Sequence, residues 1–361
     1  MNEITQKMIN KSFEKAKEQS KLLENDLYKN PQKYRVLTGD RPTGNLHLGH
    51  YFGSIINRLK LQSLGIETYI LIADYQVLTD RNVFNEISKF TYELTLDYLA
   101  CGLDPENYKT HIFPHSHIPE LNQLTIPFLT LVSSSELNKN PTVKEEITAS
   151  GLSNINAGMY IYPVHQAADI LFCKSNVVPV GKDQLPHIEL TRKIAKRFNT
   201  KFNNNIFTEP VALFTDTPTI LGLDGIQKMS KSRNNSIMIK STADETAKLI
   251  KSAKTDSSHY ISYDPENRPE VSNLLKLASL CSDKSPTDIA DKIGDQGSGK
   301  LKQLTEEAIN TYFEPIRKKR IELEKNKDYV RDILLKGISK ARETAIETLS
   351  EVTEAMNMKI A

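Results

Sequence analysis

Two short strings concentrate the reactive side chains of this sequence. His47-Leu48-Gly49-His50 sets two imidazoles three residues apart, on one face of a helical turn. Lys228-Met229-Ser230-Lys231-Ser232 gathers two ammonium groups and two hydroxyls into five residues. A helix N-terminus presents free N–H groups and partial positive charge, which favour phosphate. Imidazole N–H groups there can donate to phosphate oxygens, and Gly49, without a side chain, lets a flat base approach the backbone. Lys228 and Lys231 suit the dispersed charge of β- and γ-phosphates, with Ser230 and Ser232 as further donors. Preorganised charge of this kind is a major source of rate in phosphate chemistry. In this order the two strings predict a nucleoside triphosphate held from two sides, by His47 and His50 and by Lys228 and Lys231. Alone, each has a plainer reading: a capped helix with surface histidines, or a solvated basic loop. A metal held by His47 and His50 would need further ligands, and none stands nearby in the sequence.

The elements that must carry these strings alternate. Tyr34–Gly39 reads as a buried strand, 41–45 as a turn, and an apolar-periodic helix runs from His47–Gly49 through Leu59. A strand at Thr68–Asp74, a helix at Glu86–Cys101 and a strand at Thr110–Phe113 come next. Strands alternating with helices predict a Rossmann-like parallel sheet covered on both faces, with ligands outside the strand C-terminal ends. Gly39–His50 and Asp74 fall there. Residues 119–160 read as a helical insertion with a loop at Asn138–Thr142. A short strand at Val177–Gly181 and a helix at Leu185–Phe198 complete the alternation. Three regions result: a helical extension over 1–30, packed loosely on its neighbour; an α/β domain over 31–240; and an all-helical domain over 241–361. Gly297-Ser298-Gly299-Lys300 lacks phosphate-loop spacing and a preceding strand, so it reads as an interhelical loop. His115 and His117 form a weak pair with no chemistry assigned. Arg317-Lys318-Lys319-Arg320 reads as a solvated face.

Composition narrows the class. The chain has 361 residues, with 39% apolar and 25% charged side chains, as core-forming proteins do. Its 47 basic and 45 acidic residues give a net charge of +2, which leaves room only for a local basic surface. Cys101, Cys173 and Cys281 are far apart, so neither a disulfide framework nor an iron–sulfur cluster is expected. No apolar signal core or membrane-length run is present, and a cytoplasmic setting is the simplest expectation.

At this point the residues match a known pattern. Thr38-Gly39-Asp40-Arg41-Pro42-Thr43-Gly44-Asn45-Leu46-His47-Leu48-Gly49-His50 resembles the HIGH signature of the bacterial-type tryptophanyl-tRNA synthetases of class I. Lys228–Ser232 is similar to their KMSKS signature. Tyr162–Leu171 and Val178–Arg192 resemble their amino-acid-binding blocks. The resemblance implies activation of L-tryptophan by ATP, with Mg2+, and transfer to tRNA(Trp). It implies ATP contacts at Arg41, Pro42, Thr43, Gly49 and His50, at Gly181, Lys182 and Asp183, and along Lys228, Met229, Ser230, Lys231 and Ser232. It further implies a homodimer and an anticodon-binding role for 241–361. The family often has Asn where His50 stands and His where Gln76 stands.

Asp169 carries the substrate argument. It stands in an apolar helix, where a carboxylate is costly unless paired. The indole N–H only donates, so a buried acceptor selects tryptophan over phenylalanine. Gln166, Tyr162 and Gln184 would line the same pocket. The plainer reading has Asp169 satisfied by its own helix or by an arginine. A tyrosyl-tRNA synthetase-like enzyme and a non-catalytic tRNA-binding protein are the alternatives. The insertion is too short for an editing domain, so accuracy must come from binding.

Overall fold

The computed structural model describes residues 3–80, 84–150, 155–214 and 220–360. The chain opens with α1 (Glu3–Lys29) and enters β1 (Arg35–Asp40). Then come α2 (Leu48–His50), α3 (Ile56–Ser63), β2 (Glu67–Ile72), α4 (Val77–Asp80), α5 (Ile87–Ala100) and β3 (Thr110–Pro114). Helices α6 (Pro119–Leu129), α7 (Ser134–Lys139), α8 (Pro141–Ser150) and α9 (Ala157–Leu171) precede β4 (Val177–Pro179), α10 (Leu185–Lys201) and β5 (Val211–Leu213). The rest is helical: α11 (Ala243–Ser252), α12 (Pro269–Leu280), α13 (Pro286–Ile293), α14 (Gly297–Lys325) and α15 (Lys327–Ala355).

The strands form one parallel sheet in the order β3-β2-β1-β4-β5. Tyr69-Ile70-Leu71-Ile72 is an unbroken apolar run because β2 is buried on both faces, the pattern of a helix-covered parallel sheet. Pairing runs from Arg35↔Glu67 to Asp40↔Ile72 and from Thr68↔Thr110 to Ile72↔Pro114, so the C-terminal ends of three strands lie level. The chain leaves β1 on both sides, and the crevice at such a switch is where these sheets bind ligands.

Several local expectations change. The helix after His47 is interrupted by a π-turn, Tyr51–Ile55, which buries Tyr51, Phe52 and Ile55; such turns recur at functional sites. β5 escapes a sequence reading because three residues show no periodicity. The loop expected at Asn138–Thr142 shrinks to Asn140, whose Oδ1 accepts the Thr142 and Val143 N–H groups at the start of α8. Residues 151–154 of the insertion lie outside the described residues. Gly297–Lys300 is the first turn of α14, not a loop: Gly297 takes φ +74°, and the helix starts directly from it. α1 is not loosely packed. Ala16, Ser20, Leu23 and Leu27 are buried at helical spacing, and Leu22 points outward.

The helices at the two ends of the chain cover the sheet's two edges. Ser20 on α1 accepts the Phe214 N–H (2.8 Å) and donates to the Phe214 carbonyl (3.3 Å), just past β5. α15 lies along β3. The Tyr69 and Thr344 hydroxyls meet at 2.9 Å, Thr348 donates to the Phe172 carbonyl (2.7 Å), and Arg342 pairs with Glu120 (2.6 Å). Covered edges cannot recruit foreign strands. Gly337 makes the approach possible, since a Cβ there would lie 2.0 Å from the Ile112 carbonyl oxygen. Gly337→Val is therefore expected to lower stability by roughly 1–3 kcal/mol, the usual cost of overpacking. Chemical denaturation measures it, and an unchanged midpoint would refute the close-packing argument.

Candidate active site

A cavity of about 1120 Å³ opens at the C-terminal ends of β1, β2 and β4. It exceeds the ~300–1,000 Å³ of an ordinary single-ligand pocket. The first string and its flank bring Arg41, Thr43, His47, Gly49 and His50 to its wall. α9 brings Tyr162, Gln166 and Asp169, and the turn after β4 brings Gly181, Lys182, Asp183 and Gln184. The second string brings Lys228, Met229, Ser230 and Lys231. Pro42 does not line the cavity; it is buried in the turn that the Thr43 N–H closes on the Arg41 carbonyl (2.8 Å). The Ser232 side chain lies outside the described residues.

The two strings are stitched together by backbone. The Leu48 N–H donates to the Ile237 carbonyl (3.0 Å) and the Ile239 N–H to the Leu46 carbonyl (2.9 Å), an antiparallel bridge centred on His47 and Met238. Asn235 fixes the lysine string. Its side-chain oxygen accepts the Ser230 N–H (2.8 Å), its side-chain amide donates to Asp224 (2.7 Å), and its carbonyl accepts the Leu223 N–H (2.9 Å). Met229 is buried against Gly49, where an added Cβ would sit 3.4 Å from the Met229 Cβ and 3.0 Å from the His47 ring. The Lys231 ammonium reaches the first string's flank, 2.9 Å from a Cβ built on Gly44. A bare Gly49 thus serves the seating of Met229.

The imidazole rings lie against each other at a tilt of 37°, with centroids 3.7 Å apart, and the His47 backbone N–H donates to His50 Nδ1 (3.2 Å). That acceptor role leaves the neutral ring's proton on Nε2. Burial, then His50, Lys231 and Lys228, push His47 down to about 3. Burial lowers His50 to about 4 against the pull of Asp40, with Lys231, Arg58 and Lys228 adding to the fall. Both rings are neutral donors, and the fixed cations supply the charge. Beneath them, Arg58 donates to Asp40 (2.7 Å), Thr38 (3.1 Å) and the Gly39 carbonyl (3.3 Å), and Tyr98 donates to Asp40 (2.6 Å). Burial would raise the Asp40 carboxyl, but Arg58, His50 and these hydrogen bonds hold it below its usual range.

Asp169 is buried, and among the described residues its hydrogen-bond partner is neither its own helix nor an arginine. The Tyr75 N–H donates to His115 Nε2 (2.9 Å), which places the His115 proton on Nδ1, facing Asp169 Oδ1 at 3.0 Å. His115 is fully buried and also stands 3.3 Å from Asp74, which accepts the Tyr75 and Ser116 N–H groups (3.1 Å each) and the Ser116 hydroxyl. Spacing alone gives His115 only half of a weak pair with His117. Its position at the C-terminal end of β3, the rule that singles out Asp74, is the signal that could have found it. Tyr162 meets buried His187 at 3.1 Å, and Asn140 lies 3.4 Å from the other nitrogen of that ring. Gln166 reaches Gln184 at 3.5 Å, the outer limit of a hydrogen bond. Gln76 sits beside His165 at 3.4 Å, and its side-chain oxygen is buried without a hydrogen bond among the described residues.

A buried ion pair sets the first string's register. Asp97 on α5 accepts the Leu46 N–H (2.8 Å) and pairs with Arg320 on α14 (2.7 Å). Glu93 accepts from Asn45 (2.7 Å) and pairs with Arg320 and with Lys240 (3.5 Å). The run Arg317–Arg320 is therefore not one solvated face. Lys318 and Lys319 are exposed, but Arg320 is buried and Arg317 donates to Asn310 (2.7 Å) and Thr246 (2.9 Å). One helix turn points its cations both ways.

The histidines make a test. Burial, opposed by Asp183, also lowers His187 to about 4. Their folded values lie below the ordinary 6.5, so they contribute stability that is full above about pH 6.5 and lost as pH falls toward 4 and 3. Ring-proton NMR titration is expected to show all three neutral above about pH 5. A protonation step near pH 6 at His47 or His50 would mean that burial and the nearby cations do not act as described.

The family model for tRNA synthetases class I (W and Y) matches residues 29–314. The tryptophan–tRNA ligase of Streptococcus mutans is 44% identical over 335 residues, covering 90% of this chain and 98% of that protein. That of Clostridium longisporum is 42% identical over 336 residues, covering 90% and 97%. The Campylobacter jejuni tryptophanyl-tRNA synthetase, solved with ADP and tryptophan, superposes with a TM-score of 0.79 at 33% identity, covering 90% of this chain and 99% of that one. With both signature strings on one cavity of a matching fold, this chain belongs to the class I tRNA synthetases of the tryptophan and tyrosine family.

Proposed function

We propose that this chain is a tryptophan–tRNA ligase. The observation that carries the reading is one cavity wall holding both phosphate-handling strings and a buried carboxylate, Asp169, whose Oδ1 is already engaged by His115. Among the described residues no hydrogen bond reaches the second oxygen, which suits a donor entering the cavity, and an indole N–H is such a donor. The relatives' names and the tryptophan bound to the Campylobacter jejuni protein support the same substrate.

In the first step the tryptophan carboxylate attacks the α-phosphorus of ATP. The bond to the bridging oxygen breaks and its electrons leave with pyrophosphate. Lys228 and Lys231 neutralise the departing charge, while neutral His47 and His50 donate to phosphate oxygens. Mg2+ enters with ATP as part of that substrate. In the second step a terminal ribose hydroxyl of tRNA(Trp) attacks the adenylate carbonyl and AMP leaves. Gly181, Lys182 and Asp183 face the nucleotide, and Tyr162, Gln166 and Gln184 the amino acid. Residues 241–361 take the anticodon role, with exposed Lys318 and Lys319 as available cations. The reading includes a cytoplasmic homodimer; among the described residues no helix is long and apolar enough to cross a membrane.

Tryptophan-dependent ATP–pyrophosphate exchange is the test, and exchange with tyrosine instead would overturn the substrate. The sequence has no Trp, so a bound tryptophan is the only indole in the complex and its fluorescence reports occupancy. Asp169→Ala is expected to raise KM for tryptophan by roughly 100-fold or more with little change for ATP, because the indole loses its partner. Unchanged tryptophan affinity would remove Asp169 from selection. Lys231→Ala is expected to slow single-turnover adenylate formation by about 10²-fold at unchanged tryptophan affinity.

A further inference from the structure

α1 precedes nearly all of the family match, which begins at residue 29, yet it reaches the cavity. Phe13 and Lys17, one turn apart, both line the wall, beside Phe214. The Phe13 ring meets Phe214 edge-on with centroids 5.2 Å apart, and the Lys182 ammonium lies over the Phe13 ring at 4.6 Å. Lys182 belongs to the turn Gly181–Gln184, whose first three residues are exposed. Little apolar burial holds such a turn, so discrete contacts must. One is the Gln184 N–H to the Gly181 carbonyl (3.1 Å); another is Thr142 donating to the Asp183 carbonyl (2.8 Å). Gln184 also reaches Gln166 (3.5 Å) and Asp183 (3.0 Å), and a further contact is Phe13, which comes from a helix whose Ala16, Ser20, Leu23 and Leu27 are buried.

We propose that Phe13 is a positioning residue for adenylate formation: through its cation–π contact with Lys182 it holds the Gly181–Gln184 turn in register for the nucleotide, so the N-terminal helix is a working wall of the active site. This rests on the reading of that turn as a nucleotide contact. A face-on cation at 4.6 Å is within the ~6 Å reach of the ring quadrupole, and a leucine of similar bulk would keep the packing and lose the attraction.

The test uses the full chain. Phe13→Leu is expected to raise KM for ATP about two- to fivefold in tryptophan-dependent exchange, the equivalent of a partly exposed cation–π contact, with kcat little changed. Phe13→Tyr restores the wild-type value because its ring face keeps the quadrupole. In a Lys182→Met background, Phe13→Leu has no further effect. Hydrogen–deuterium exchange reads the positioning independently of activity: amides 181–184 exchange faster in Phe13→Leu and not in Phe13→Tyr. Unchanged exchange, failure of Phe13→Tyr to restore, or an undiminished Phe13→Leu effect on the Lys182→Met background overturns the proposal. Faster exchange with an unchanged ATP KM, in both Phe13→Leu and Asp183→Asn, instead overturns the nucleotide assignment of the turn and leaves Phe13 its positioning role.

Discussion

Taking a carboxylate and a guanidinium out of water costs several kcal/mol per ion, and only close, hydrogen-bonded geometry offsets it. Asp97 and Arg320 meet that condition, with the Leu46 N–H on the second carboxylate oxygen. Neither ion can be left alone in that interior without a large loss, so the pair ties α5, α14 and the flank of the first string together. Glu93 widens the set by joining Asn45, Arg320 and Lys240. Lys240 comes directly after the segment bridged to His47, so both signature strings hang from one charge cluster. The helical C-terminal region is thereby an energetic partner of the cavity, not an appendage to it.

Given that frame, burial decides the division of labour within the site. The histidines lie where charge is costly and are pressed further down by fixed lysines, so they act as oriented neutral donors. Lys228 and Lys231 stand on a string whose register is set by Asn235 and by Met229 seated against Gly49. At the other end of the cavity the logic reverses. Asp169 is buried but already bonded to His115, and His115 is bonded to the Tyr75 backbone. A preset tautomer leaves the carboxylate oriented before any ligand arrives.

Much of this is legible in the sequence. The Tyr69–Ile72 run announces a doubly covered strand, and two strings of distinctive spacing fall at the ends of predicted elements. Asp169 stands out as a carboxylate in an apolar helix. Most of the features that stay hidden depend on partners distant in the chain. His115 and Asp169 are 54 residues apart, and Arg320 and Asp97 are 223 apart, so no local pattern marks either pair. A basic run gives no local sign that its cations face opposite ways. The π-turn at Tyr51–Ile55 and the three residues of β5 leave too little periodicity to read. The two strings by themselves point to a triphosphate, while the further contacts proposed at Arg41, Thr43 and Gly181–Asp183 come from family resemblance rather than from spacing.

The closure of both sheet edges by terminal helices bears on how the protein is made. α1 precedes β5 in the chain, so it is there to meet that strand as soon as it appears. β3 must wait for α15, which leaves the ribosome only after four other C-terminal helices. Through that interval one edge of a parallel sheet carries unpaired N–H and carbonyl groups, a template for wrong pairing. Gly337, by admitting α15 so closely onto Ile112, ends that exposure, so one small residue far along the chain decides how long the β3 edge stays open.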